Sequence, residues 1–69
     1  MKKPTNEQIL SLIRKRRVDP EVMGVCEDLL SVYDCKDVTF EDVDYATYGD
    51  KALSRDVAKA LMGAIREAC

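Results

Sequence analysis

Val18-Asp19-Pro20-Glu21-Val22-Met23 decides the fold. Asp accepts hydrogen bonds from the orphan backbone donors of a helix start, and Pro suits the first helical position, where its missing N–H costs nothing. Glu21 then complements the positive end of the helix dipole, while Val18 and Met23 bracket the cap at the spacing of a hydrophobic staple. The six residues therefore predict a helix beginning at Pro20 and continuing to about Asp34. Its wide apolar face is Val22, Val25, Cys26, Leu29, Leu30 and Tyr33, opposite Gly24, Asp28 and Ser31.

The same signature recurs on both sides. Upstream, Thr5 with Gln8 forms a capping box for a helix running to about Arg17, in which Ile9, Leu10, Leu12 and Ile13 share one half of the wheel against Glu7, Ser11, Arg14 and Lys15. Downstream, Thr39 with Asp42 repeats the cap and Val38 with Val43 repeats the staple, predicting a short third helix that closes before Gly49 in the left-handed region. Asp50 to Leu53 are expected to form a turn or an early helical turn, after which Ser54 caps a fourth helix, with Leu53 and Ala58 as its staple and Val57, Ala60, Leu61, Ala64, Ile65 and Ala68 as its apolar face. The expectation is an all-α, single-domain bundle of about four helices over residues 1–69, with residues 1–4 flexible.

Composition agrees with a small folded chain. At 69 residues there is room for one domain, near the lower limit for an unaided core, and the 46% apolar and 35% charged fractions suit a well-solvated globule. Met1-Lys2-Lys3 is followed by Pro-Thr-Asn-Glu-Gln rather than the apolar segment of a signal peptide. No stretch approaches the roughly 20 apolar residues needed to span a bilayer. Cys26, Cys35 and Cys69 are an odd set without paired spacing, so reduced thiols and a cytoplasmic location are expected, with no membrane contact.

Catalytic chemistry has little to stand on. His is absent, no glycine-rich phosphate loop occurs, and three scattered cysteines fall short of a zinc site. The chain is expected to be no enzyme and to hold no cofactor or metal. Cys35, beside Lys36 in a connecting loop, is the one candidate for a reactive thiol. Val38 to Asp42 has the look of the exit of a calcium loop, but the upstream positions that should supply oxygen ligands are Ser31, Tyr33 and Cys35. Helix capping accounts for the same residues.

Charge is where the chain departs from a bland bundle. Residues 1–18 carry +5, residues 19–50 carry −9 and residues 51–69 carry +2, so the net charge of −2 conceals a divided molecule. Within the acidic third, the wheel turns Tyr45 outward, away from Phe40 and Val43, and Asp37, Glu41, Asp42 and Asp44 surround it. Acids steer association while an exposed Tyr supplies contact area at low entropy cost, so these five residues are the candidate surface for a basic site on a larger partner protein. Asp37, Asp44 and Tyr45 have no evident structural task.

In its size and charge the chain resembles small protein inhibitors of phage or plasmid origin that block a nucleic-acid-handling enzyme, which implies an inhibitor or adaptor. A second reading rests on the basic run Arg14-Lys15-Arg16-Arg17 and on Arg55, Lys59 and Arg66, which form a stripe with Met62 along the fourth helix. Such cations could hold nucleic acid in a helix-turn-helix-like manner, although only eight residues would follow the first motif helix. A third reading is a self-associating subunit, such as a homodimer, with Met62, Tyr45 and Tyr48 at the interface.

Overall fold

A computed structural model describes residues 3–69, which form four helices: α1 (Asn6–Lys15), α2 (Pro20–Val32), α3 (Phe40–Ala46) and α4 (Lys51–Ala68). A single 3₁₀ turn, Cys35–Asp37, joins α2 to α3, and no strand occurs among the described residues. Of the stretch expected to be flexible, residues 1 and 2 lie outside the described residues, whereas Pro4 is half-buried and its carbonyl accepts from the Cys35 thiol at 3.6 Å.

Three caps form as their local chemistry dictates. The Asp19 carboxylate accepts from the Glu21 N–H at 2.9 Å, and Thr5/Gln8 and Thr39/Asp42 each complete a reciprocal capping box. The fourth start differs from expectation. Asp50, not Ser54, caps α4 by accepting from the Leu53 N–H at 3.1 Å, so the helix begins one turn earlier and the Leu53/Ala58 staple does not exist. The first two helices also stop short: α1 ends at Lys15, with Arg17 beyond it in the left-handed region (φ 54°), and α2 ends at Val32.

Each helix turns its apolar stripe to one core, built from Ile9 and Ile13 of α1, Val22, Cys26, Leu29 and Leu30 of α2, Val43 of α3, and Val57, Ala60, Leu61 and Ala64 of α4. α4 is the central element, packed against all three other helices. Its alanines allow that, since a small residue on the buried stripe lets a neighbouring backbone approach. Ala68 is exposed on the final turn, outside the expected face. Phe40 is likewise 66% exposed, because the first position of so short a helix lies at the rim of the core rather than over it.

Two long-range ties fix α1. Asn6 donates to the carbonyls of Leu30 (2.8 Å) and Tyr33 (2.9 Å) and accepts from the Cys35 N–H (2.8 Å), joining the start of α1 to the end of α2 and the 3₁₀ turn. At the other end, the Arg16 guanidinium donates to the Gly63 carbonyl at 3.1 Å and approaches the Glu67 carboxylate at 3.9 Å. A Cβ at position 63 would lie 2.9 Å from Arg16 Nη1, the far end of a flexible, exposed side chain, so a larger residue there would displace the guanidinium rather than the helix.

Candidate functional site

Glu41, Asp44, Tyr45 and Tyr48 recur at i, i+3, i+4 and i+7, the spacing that places side chains on one face of a helix and its exit turn. α2 contributes Asp28, Leu29 and Val32 from its last turns, and Tyr33 follows directly in extended backbone. The two sets meet in an open groove with a Leu29 and Ala46 floor, walls of Val32, Tyr33, Tyr45 and Tyr48, and Asp28, Glu41 and Asp44 at its rim. Tyr45 is 88% and Tyr48 98% exposed, and Val32 at the end of α2 is 74% exposed. These large side chains stand together at the surface, outside the core.

The exit turn of α3 is built to hold Tyr48 out. The Tyr48 N–H donates to the Tyr45 carbonyl at 3.2 Å and the Gly49 N–H to the Asp44 carbonyl at 3.0 Å, the paired bonds of a Schellman closure. Such a closure puts its first residue past the helix in the left-handed region, a position normally given to glycine. Here Tyr48 occupies it (φ 54°), with Gly49 left-handed as well (φ 77°). Beneath the turn, buried Thr47 donates its hydroxyl to the Val43 carbonyl at 2.9 Å.

Asp44 has a structural task after all. Its carboxylate accepts from the Ser54 hydroxyl at 2.6 Å and lies 4.0 Å from the Lys51 ammonium, clamping α3 to the first turns of α4. Ser54 is buried on α4 in this role, which is why it is unavailable as a cap. A hydrogen bond to a charged group contributes about 1.5–3 kcal/mol. Ser54→Ala is accordingly expected to cost about 1.5 kcal/mol, the lower end, since the half-exposed carboxylate can recruit water. Urea denaturation measures it; a loss below about 0.5 kcal/mol would show that Asp44 is held by other means.

The structure thus gathers Glu41, Asp44 and Tyr45 of the expected surface and separates the other two. Asp42 turns back to accept from the Thr39 N–H at 2.9 Å, and Asp37 ends the 3₁₀ turn, exposed and outside the groove. Asp28, Val32 and Tyr33 come to the site from α2. Tyr33 reads in the sequence as part of a buried face, yet it follows the last helical residue, where the chain turns extended and leaves the ring 40% exposed.

The basic residues do not form one patch. Arg14 pairs with Glu27 of α2 at 3.6 Å, Arg16 is committed to α4, Arg17 lies past the helix end, and Lys15 is exposed on the last turn of α1. Arg55, Lys59 and Arg66 remain together on the outer face of α4 around Met62, which is 59% exposed. None of the three has an ion-pair partner within 4.0 Å among the described residues.

Cys35 is not a reactive loop thiol. It is buried, and burial together with the neighbouring Asp34 charge raises its pKa. Burial also pushes the Cys26 thiol up to about 11, with the Glu27 charge acting in the same sense. A thiol-labelling reagent should modify Cys69, which is exposed, at once and the other two only on unfolding; rapid labelling of all three would contradict this burial. Because the folded protein holds the Cys26 proton more tightly than the unfolded chain, that contribution to stability is present below about pH 9 and is lost as pH rises through 11.

Among the described residues no group of three His, Cys, Asp or Glu is placed to hold a metal ion, and no helix is long and apolar enough to cross a membrane. No family model matches the chain, nor does any curated protein or solved structure.

Proposed function

We propose that this chain is a non-enzymatic protein-binding domain whose α2–α3 groove takes a basic, partly apolar segment of a larger partner, acting as a cytoplasmic inhibitor or adaptor that occupies that partner's basic site. The observation that supports this most directly is the groove itself: three tyrosines, two of them almost fully exposed, beside three carboxylates. Tyr faces attract Lys and Arg through the ring quadrupole, rim carboxylates steer the same cations, and Val32 and Leu29 offer apolar contact between them. The left-handed Tyr48 adds to the case, because backbone strain at a fully exposed aromatic has no packing benefit to offset it.

The test is capture of a partner from a lysate of the source cells by the immobilised chain. Tyr45→Ala combined with Glu41→Lys should abolish capture of the protein that the wild type retains at stoichiometric level. Asp37→Lys, an equal change of charge outside the groove, should leave it intact. Capture that survives the groove substitutions would place the binding surface elsewhere. Asp42 and Asp44 are poor choices for this test, since each also holds a helix end together.

A further inference from the structure

The outer face of α4 carries the chemistry that the groove is suited to take. Arg55, Lys59, Met62 and Arg66 lie on one stripe, spaced so that a continuous helix presents cation, cation, thioether and cation in succession. Guanidinium and ammonium groups sit over Tyr faces, and a thioether packs against aromatic edges. The three cations are unpaired among the described residues, and so are Asp28 and Glu41 at the groove rim. α4 cannot turn this stripe into its own molecule's groove, because its opposite face is the buried one that holds α1, α2 and α3 together.

We infer that the α4 stripe of one copy docks into the α2–α3 groove of a second copy of this chain. The inference rests on the groove reading above and names one occupant for it. Both halves of the contact are on every molecule and share no residue, so the joint is made between unlike surfaces and each half can be removed without touching the other. The contact weakens as salt screens its charge pairs, leaving the apolar contribution of Met62 and the tyrosines. Any partner that takes the groove competes with it.

Sedimentation velocity on the full chain tests this. At low salt the weight-average mass should rise with concentration above the 7.8 kDa monomer, and 0.5 M salt should shift the midpoint at least tenfold upward in concentration. A groove variant (Asp28→Lys with Tyr45→Ala) and a stripe variant (Arg55→Glu with Lys59→Glu) should each stay monomeric. All four positions are exposed, and far-ultraviolet circular dichroism of each variant is the check that it folds. Mixed together, the two variants should form a 1:1 dimer, since one retains an intact stripe and the other an intact groove.

A wild-type chain that stays monomeric to about 1 mM, association that persists in both variants, or a mixture no heavier than its components would each overturn the inference. Binding of duplex DNA by the stripe of a monomeric wild type would overturn it in favour of nucleic acid. If the groove variant loses lysate capture while the wild type is monomeric, the groove reading stands and self-docking fails. If it affects neither measurement, both fail.

Discussion

Asn6→Ala is expected to lower the stability of the domain by about 2–3 kcal/mol, within the roughly 1.5–4.5 kcal/mol spanned by three lost hydrogen bonds at about 0.5–1.5 kcal/mol each. The carboxamide is bonded at both ends, giving two protons to the Leu30 and Tyr33 carbonyls and taking one from the Cys35 N–H. Leu30 and Cys35 are buried, so water replaces these partners poorly; Tyr33 is open and its carbonyl can be solvated. For a domain of this size 1 kcal/mol moves the melting temperature by about 4–8 °C, so scanning calorimetry should show a fall of roughly 10–20 °C. Asn6→Asp should fare no better, since an aspartate can still accept from Cys35 but presents a negative oxygen to two carbonyls. A loss below about 1 kcal/mol for both variants would mean that the α1–α2 junction is held by apolar packing alone.

Asn6 also shows why part of this molecule is legible in the sequence and part is not. Asp19, Thr39 and Thr5 cap helices through atoms two or three residues away, so short-range spacing is sufficient to find them. The stripes of α1, α2 and α4 follow from periodicity for the same reason. Asn6, by contrast, works through residues 24 to 29 positions distant, and an Asn inside a first helical turn gives no sign of such partners. Asp50 and Ser54 are both capping residue types at the right distance from the same helix. The choice between them is settled by Asp44, ten residues before Ser54, which takes the hydroxyl and draws Ser54 inward. The candidate surface divides in the same way: Glu41, Asp44 and Tyr45 follow from the period of α3, whereas Asp28, Val32 and Tyr33 join them only through the packing of α2 against α3.

Tyr48→Gly is expected to move stability and binding in opposite directions. A non-glycine residue in the left-handed region carries a steric cost that glycine does not, so the substitution should stabilise the folded chain by about 0.5–1 kcal/mol after allowing for the greater freedom of the unfolded glycine. The lost ring makes little packing contact to offset this gain, being 98% exposed. At the groove the same ring is one of three that would lie over the partner's cations. Removing an aromatic anchor from an interface costs about 2 kcal/mol or more, a roughly 30-fold loss of affinity. Tyr48→Asn, which tolerates the same φ, should reproduce the binding loss with a smaller stability gain. Urea denaturation and retention of the lysate partner provide the two readouts. A destabilised Tyr48→Gly would show that the ring packs in solution, and undiminished capture would remove it from the binding surface. If stability rises while capture falls, the strain at Tyr48 is kept for what the ring touches outside this molecule, as expected where a fold gives up stability at a functional position.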